Sequence, residues 1–500
     1  MSGDALVLGI DVGTESARAV LFDLTGHARA EGSAPYGTRY PRPGWAEQDP
    51  AEVWRALEHA VRAVLSAVPG AHIAGCSLVS TAVTVVPVAA SGEPLGPAIL
   101  WMDTRAREEA VEITATEHRA LWYTGGMVSP EWMLPKALWL KRHDPIRYGQ
   151  ARYLVEMHDW LMYRLTGAWT LSLSTVSGEW CYVREHGGWP DDLLDTLGLA
   201  DLPSKWPERV LPPGTVIGDV SRGAAAVTGL PPGLPIVQGL MDSYAAALAS
   251  NVFAPRRLSL SLGSSSSYLA LTPSPRFDPR LCGPVPDAFG AGTWTVHGGQ
   301  TSAAATLRWF RDQLAPGSSF VLLDEEAAGV PPGSEGVGAL DTLQGCRTPF
   351  RDPTSRGVFW GMNLGHRRGH LYRALLEAVA FGGRQVMETI QQAGVTIDEI
   401  VACGGGSRSP LWMHIHADVL RVPITVLDEV HAAALGAAMC AAVGTGRHST
   451  LRVAARAMMR AGVTYLPDPE RAAVYQRGFE GYRATYVAHR DLQQRRASVP

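Results

Sequence analysis

The chain has 500 residues, of which 46% are hydrophobic and 18% charged, so it can bury large cores in two or three domains. Its 44 basic and 48 acidic side chains give a net charge of −4, which argues against a nucleic-acid-binding protein, since such proteins carry a basic surplus. No uncharged apolar run reaches the roughly 18 residues of a membrane span, and the first residues lack the pattern of a signal peptide. We expect a soluble, cytoplasmic protein that binds neither nucleic acid nor membranes.

Two segments half a chain apart share one pattern. Residues 6–22 are typical of a strand, a small polar turn and a second strand, and residues 258–271 repeat that design. Gly13 and Gly263, in the two turns, lie 250 residues apart, which predicts two domains of similar build.

The boundary between these domains is predicted near residues 248–257, where polar residues and a proline interrupt the apolar pattern. The predicted domains are residues 1–248 and 249–500.

Helix and strand signals alternate along both halves. Asp49 and Pro50 are typical of a helix start, and apolar residues recur at helical spacing over 51–68. Further helices are predicted over 368–392, over 409–420 and after Tyr465, and strands over 235–237 and 399–403. This alternation favours an α/β architecture.

The two turns are candidate phosphate sites, because glycine and hydroxyl residues present backbone N–H and O–H donors to an anion. One such turn is equally typical of a hairpin, whereas two can hold the β- and γ-phosphates of a nucleotide from opposite sides. The candidate residues are Gly13, Thr14, Gly263, Ser264 and Ser265. The neighbouring Asp11 could hold a hydrated Mg²⁺.

Two further motifs follow predicted strands. Gly404 and Gly405 lead into a helix at Ser409, so the backbone could approach a flat ligand and the helix start could favour a phosphate; the alternative is an ordinary strand-to-helix turn. Asp242 follows the strand at 235–237 and could be a helix N-cap or a general base. The residues alone leave both alternatives open.

Taken in order, these and other motifs resemble those of the FGGY family of carbohydrate kinases. The resemblance covers almost the full chain and rests on the segments 9–14, 44–50, 97–105, 239–242, 345–349, 372–377, 404–405 and 434–438. Segments 81–87, 125–131 and 135–141 look most like the ribulokinase-type branch.

The resemblance implies two actin-like, ribonuclease-H-like α/β domains flanking a cleft, with sugar held mainly by the first and ATP by the second. It implies that Asp242 is the catalytic base and that Asp11 organises Mg²⁺ through water. The implied sugar contacts are Thr81, Trp101, Glu179, Asp242 and Gln300. The implied ATP contacts are the two turns together with Ala304, Arg308, Gly404, Gly405 and Ser409.

The expected function is ATP-dependent phosphorylation of a terminal hydroxyl of a ribulose-like ketopentose. Xylulose or a sugar alcohol is the alternative substrate, and a non-catalytic sugar or nucleotide sensor is the alternative class. Glu179 departs from the ribulokinase-type pattern, which has lysine there, so it could move preference towards a polyol or simply pair with an arginine such as Arg184. A homodimer is compatible with this interpretation.

Overall fold

The computed structural model describes residues 5–497, in which strands and helices alternate. The strands, in chain order, are β1 (Leu6–Val12), β2 (Ser16–Phe22), β3 (Ala28–Pro35), β4 (Glu47–Gln48), β5 (Ile73–Ser80), β6 (Val85–Val88), β7 (Ala98–Ile99), β8 (Tyr153–Glu156), β9 (Leu171–Ser172), β10 (Val210–Leu211), β11 (Val216–Asp219), β12 (Pro235–Val237), β13 (Arg257–Leu262), β14 (Ser266–Thr272), β15 (Cys282–Pro286), β16 (Trp294–Gln300), β17 (Gly338–Leu340), β18 (Val358–Trp360), β19 (Glu399–Cys403), β20 (Ile424–Leu427) and β21 (Ala461–Tyr465). The α-helices are α1 (Pro50–Ala67), α2 (Arg107–Ala115), α3 (Met133–His143), α4 (Pro145–Gln150), α5 (Met157–Thr166), α6 (Leu173–Glu179), α7 (Asp191–Thr196), α8 (Arg222–Thr228), α9 (Asp242–Ala249), α10 (Ala304–Leu314), α11 (Phe320–Ala328), α12 (Arg368–Gln392), α13 (Pro410–Leu420), α14 (Ala432–Gly444), α15 (Leu451–Met458) and α16 (Pro469–Ala497).

The helices predicted from their first residues begin where the sequence places them. The Asp49 side chain accepts a hydrogen bond from the Ala51 amide at 2.9 Å, and Pro50 stands in the first turn of α1. Ser409 caps α13 in the same way, by accepting from the Trp412 amide at 3.1 Å. The other predicted helices, α12 and α16, and the predicted strands β12 and β19 are confirmed. Both strand–turn–strand segments are also confirmed as antiparallel pairs, β1–β2 and β13–β14.

The chain forms two compact units that are discontinuous in sequence. The first contains the chain up to Phe253 together with residues 271–296 and 431–460. The second contains residues 254–270, 297–430 and the chain from Ala461 onward.

The first unit is built on a six-stranded sheet in the order β11-β12-β5-β1-β2-β3. Strands β12, β5 and β1 are parallel to one another, so their carboxyl ends meet at one edge of the sheet. Helix α14 packs on β1 and β5, while α1 packs on β2 and β3. A smaller sheet, β4-β7-β6-β8, belongs to the same unit.

The sheet of the second unit contains the run β14-β13-β19-β20-β21, in which β13, β19 and β20 are parallel. Long helix α12 packs against α10, α11 and α13. Across residues 5–497, no helix is both long and apolar enough to cross a bilayer.

Candidate active site

Three of the predicted site residues, the metal residue Asp11 and the sugar contacts Thr81 and Asp242, lie at the carboxyl edge of parallel strands in the first unit. Asp11 stands near the end of β1, Thr81 follows β5, and Asp242 follows β12 at the start of α9. The Thr81 amide donates to the Val12 carbonyl at 3.2 Å, which ties the end of β5 to the end of β1. Ligands of α/β proteins bind beyond this edge of the sheet, so the topology groups these side chains where a substrate site is expected.

Gly239 allows the segment before α9 to lie against β5. A Cβ atom at this position would come within 1.9 Å of the Leu78 carbonyl oxygen, so any larger residue would push the backbone away. The close approach places Asp242 beside the edge, where its Oδ1 accepts from the Ser243 amide at 2.6 Å.

The pKa values of the two aspartates at this edge are both raised. Burial and, to a smaller extent, the negative charge of Asp11 raise the pKa of Asp242 to about 7, while the Ser243 hydrogen bond acts in the opposite direction. Burial also raises the pKa of Asp11, against the effect of Arg18, whose Nη1 lies 3.1 Å from Asp11 Oδ2. A carboxyl group that titrates near neutral pH is well suited to general-base catalysis.

The predicted phosphate turn after β1 is held by three side chains that the sequence analysis did not single out for this role. Tyr36 donates its hydroxyl to the Gly13 carbonyl, and Gln48 Nε2 donates to the Thr14 carbonyl at 2.7 Å. Trp101 Nε1 donates to Thr14 Oγ1 at 3.0 Å. Because the Thr14 oxygen already accepts this bond, its own O–H is left to donate to an anion.

Arg18 is a further residue that the sequence analysis missed. The antiparallel register of β1 and β2 places it opposite Asp11. An alternating strand pattern with a two-to-three-residue turn would have predicted this pairing, since residues equidistant from a hairpin turn face each other.

Glu179 is the last residue of α6 and lies among buried charged groups. Its negative charge acts on the pKa of Lys136 and on that of Glu156. Arg184, the partner considered as the alternative, donates from Nη2 to Asp287 Oδ2 at 2.7 Å.

In the second unit, the two glycine turns lie side by side. Parallel pairing places Ser261 of β13 opposite Cys403 of β19, so the turns that follow them share one edge of the sheet. Gly404 has a φ of 92°, and a Cβ atom there would come within 2.8 Å of the Leu262 carbonyl oxygen. Glycine is therefore required both by conformation and by the close approach.

The start of α10 is fastened to the turn after β13. The Ala304 amide donates to the Gly263 carbonyl at 3.0 Å, and the Ala303 amide donates to the Ser264 carbonyl at 2.7 Å. Arg308, one helical turn further along, is exposed. The structure thus groups Ala304 with the turn residues and leaves the Arg308 side chain accessible.

Two other predicted site residues of this unit have protein partners. The Ser409 side chain caps α13 and is also hydrogen-bonded to Asp324, where burial raises the aspartate's pKa. Gln300 is buried; its Oε1 accepts from Ser266 Oγ at 2.7 Å and its Nε2 donates to Asp341 Oδ2 at 2.7 Å. A contact between the Gln300 amide and a sugar would require this network to rearrange.

Within residues 5–497, no group of three or more His, Cys, Asp or Glu side chains is arranged to hold a metal ion directly. Asp11 and Asp242 nevertheless form a poorly solvated pair of carboxylates, and Arg18 and His431 act on Asp11 in the direction opposite to burial. Two neighbouring carboxyl groups fit a hydrated divalent cation, which keeps most of its water ligands and needs one or two carboxylates.

Comparison with solved structures shows to which class of proteins this fold belongs. The crystal structure of xylulose kinase from Rhodospirillum rubrum aligns with a TM-score of 0.86 at 31% identity, covering 98% of this chain and 100% of that one. Both units therefore have the actin-like, ribonuclease-H-like fold of sugar kinases.

The family follows from the sequence matches. Profiles of the FGGY family of carbohydrate kinases match residues 6–249 for the N-terminal domain and residues 258–445 for the C-terminal domain. Ribulokinase from Anoxybacillus flavithermus is 32% identical over 529 aligned positions, covering 96% of this chain and 94% of the relative, and xylulose kinase from Bacillus subtilis is 27% identical, covering 97% of each. The chain belongs to the FGGY family of carbohydrate kinases: it is an ATP-using sugar kinase with a small-molecule sugar as its substrate.

Proposed function

We propose that this kinase phosphorylates a terminal hydroxyl of a ketopentose of the ribulose type. The observation that carries the proposal is the pair formed by Asp242 and Asp11, in which a carboxyl with a pKa of about 7 stands at the carboxyl edge of the first unit. The ribulokinase-type segments and the 32% identity to a ribulokinase support the ribulose assignment.

Asp242 is the base of the proposed reaction. Its ionised carboxylate removes the proton of the sugar hydroxyl, and the oxygen attacks the γ-phosphorus of ATP in line. The bond between the γ-phosphorus and the bridging oxygen breaks, its electron pair leaves with ADP, and the sugar proton remains on Asp242. Phosphoryl transfer depends mainly on positioning and charge neutralisation, so one base with well-placed donors is sufficient.

The proposed phosphate contacts come from both turns. In the first unit, Gly13 and the Thr14 hydroxyl donate to phosphate oxygens, and Arg18 adds positive charge beside them. In the second unit, the corresponding donors are Gly263, Ser264 and Ser265.

The adenosine is proposed to lie in the second unit, at Gly404, Gly405 and Ser409 on one side and Ala304 and Arg308 on the other. The absence of side chains at the two glycines supports a flat ligand against the backbone. The exposed guanidinium of Arg308 supports a contact with the ribose or phosphates.

Mg²⁺ is proposed to be held through water by Asp11, whose charge also acts on the pKa of Asp242. When bound, the ion supplies charge neutralisation for the phosphates.

The proposed sugar contacts in the first unit are Thr81, Trp101 and Glu179, with Asp242 at the reacting hydroxyl. Gln300 is retained as a further contact, although its amide is already hydrogen-bonded within the second unit. A pentitol is the second candidate substrate, because an ionised Glu179 can only accept hydrogen bonds and would favour hydroxyl donors over a keto oxygen.

The test is ADP release measured across ribulose, xylulose, ribitol, xylitol, arabinitol and glycerol, with Asp242→Asn as the inactive variant. We expect a pentulose to have the highest kcat/KM and the variant to lose about 10²–10⁴-fold in kcat while its substrate affinities change only a few-fold. Asp201→Asn, which removes an exposed carboxylate of the same unit, is the matched control. Turnover by a folded Asp242→Asn protein near the wild-type rate would remove Asp242 from the mechanism.

We further propose that the enzyme works in the cytoplasm, where ATP is available as phosphoryl donor. Sedimentation velocity with and without ATP would determine whether it forms the homodimer considered above.

A further inference from the structure

One buried cation has no role in the mechanism above. The chain contains three lysines, at positions 136, 141 and 205. Lys136 lies on α3 and its accessible surface is 0%, whereas Lys141 is partly exposed and pairs with Asp201 at 2.5 Å. Burying an ammonium group is costly unless each of its hydrogens finds an acceptor, so the position needs an explanation.

The Lys136 ammonium is bound by three backbone carbonyls. Its Nζ donates to the carbonyls of Val83 and Leu100 at 2.8 Å each, and to that of Ile99 at 3.4 Å. An ammonium group has three N–H donors and no acceptor, so this set of carbonyls matches its protonated form. A neutral amine has two N–H groups, so one of the three carbonyls would lose its lysine donor.

Two of these carbonyls, those of Val83 and Leu100, belong to loops that carry proposed sugar contacts, and the third is that of the last residue of β7. Val83 lies two residues after Thr81, and Leu100 directly precedes Trp101. The loops come from different parts of the chain, and Lys136 joins them at the end of the sheet β4-β7-β6-β8, where β6 pairs with β7.

The third proposed contact is linked to the same end of this sheet. Residue Glu156, at the end of β8, pairs in register with Val85 of β6, and its Oε1 accepts from the Trp180 indole at 2.8 Å. Trp180 directly follows Glu179, so the Glu156 carboxyl anchors the end of α6.

We propose that Lys136 is a positioning residue of the sugar site. Its ammonium group ties the loops bearing Thr81 and Trp101 together, and together with Glu156 it fixes the position of Glu179 relative to these loops. The inference rests on the proposed function, because it assumes that these three side chains contact the sugar.

The electrostatic surroundings make this arrangement sensitive to pH. Burial lowers the pKa of Lys136 to about 8, against the negative charges that face it, which are those of Asp103, Glu131, Glu156 and Glu179. Of these, Glu156 is itself buried and its pKa is raised. Loss of the proton above pH 8 removes one of the three donors and should loosen the loops.

The first test compares Lys136→Met with Lys141→Met. Met keeps the length of the side chain but removes the donors. We expect the KM for the preferred pentulose of the panel to rise by about 10-fold or more in Lys136→Met, while kcat changes by less than about 3-fold. The KM for ATP should rise less than the KM for the sugar, because Lys136 reaches the phosphate turn only through the bond from Trp101 to Thr14. Lys141→Met should match the wild type in all three constants. Equal KM values in a folded Lys136→Met protein would overturn the proposal.

The second test uses the native protein and stays decisive if Lys136→Met does not fold. With ¹³Cε-labelled lysine the enzyme gives three lysine signals, and Lys141→Met and Lys205→Met assign them by removal. The KM for the pentulose should rise above the pH at which Lys136 titrates, while kcat remains level there. A KM that stays constant through that titration, or rises at a different pH, would contradict the proposal. A chain that releases no ADP with any sugar would instead refute the proposed function, so the two failures are distinguishable.

Discussion

At the scale of single residues, two opposing sets of influences act on the pKa of Asp242. It begins helix α9, where unsatisfied amide groups favour a negative charge, and the Ser243 amide donates to it. Burial and the charge of Asp11 outweigh these effects, because both disfavour a second carboxylate at a poorly solvated edge. The residue therefore stays partly protonated near pH 7, which a carboxyl exposed to water would not do.

The pH dependence of turnover and stability should reflect this pKa. kcat should fall as the pH drops below about 7, because the base must be ionised. A folded-state pKa raised from 3.8 to about 7 means that the folded protein binds this proton more tightly than the unfolded chain does, so Asp242 reduces stability progressively as the pH rises from 4 to 7.

Asp242→Asn should therefore be more stable than the wild type at pH 8, by about 1–4 kcal/mol, and less of this gain should remain at pH 5.5. Calorimetry at the two pH values measures the difference. A gain that is equal at both would show that ionisation of Asp242 is not its cause.

Glu179 gives a prediction about substrate choice. If it contacts the sugar, Glu179→Lys should reorder kcat/KM among ribulose, xylulose and the pentitols, since a lysine donates where glutamate accepts, and such sites can discriminate by as much as about 10⁴-fold. Glu185→Lys, a charge reversal at an exposed position nearby in sequence, is the control. A uniform loss of activity with an unchanged ranking would assign Glu179 to the scaffold.

At the scale of elements, the turn between β1 and β2 depends on residues from three other segments. Tyr36, Gln48 and Trp101 each hydrogen-bond to it. Arg105 joins strand β4, which contains Gln48, to the loop that contains Trp101, because it pairs with Glu47 at 2.8 Å and with Asp103 at 2.7 Å. The conformation of the turn is therefore determined by tertiary contacts as well as by its glycine.

Trp101→Phe tests this coupling, because it keeps an aromatic ring and removes the indole N–H. We expect kcat/KM for ATP to fall by about 5- to 30-fold, corresponding to the loss of about 1–2 kcal/mol of hydrogen bonding that orients Thr14. In a protein that already carries Thr14→Val, Trp101→Phe should cause little further loss of kcat/KM for ATP. Trp122→Phe, at a residue 37% exposed, is the control. Fully additive losses in the double variant would exclude the coupling.

At the scale of the whole molecule, the first unit is completed by a helix from near the other end of the chain. Helix α14 is buried along nearly all its length and packs on β1, β5 and α9. Small residues permit this contact: a Cβ atom at Gly9 would lie 1.9 Å from the Ala434 carbonyl oxygen, and one at Gly436 would lie 2.1 Å from that of Ala245. The continuous segment up to Phe253 thus lacks part of its own core.

A fragment of residues 1–253 should accordingly fail to fold independently. Without α14, apolar side chains of β1 and β5 lose their cover, so we expect no cooperative thermal transition and strong binding of an apolar dye. A matched fusion that adds residues 431–460 through a flexible linker should recover at least part of the transition. Cooperative unfolding of the short fragment at a Tm near that of the intact chain would contradict this interpretation.

The features readable from the chain are those set by near neighbours. Helix starts at Asp49–Pro50 and Ser409–Pro410, and the two strand–turn–strand segments, depend on capping and side-chain periodicity within a few residues. Asp11 and Asp242 are candidates because of their positions beside the turn and after a predicted strand, and the family resemblance implies their roles. Local pattern could not reveal the raised pKa of Asp242, the engagement of the Gln300 amide with Asp341, 41 residues away, or the burial of Lys136 against Val83, 53 residues away. These properties arise from desolvation and from hydrogen bonds between distant segments, and both exist only once the sheets and helices have packed together.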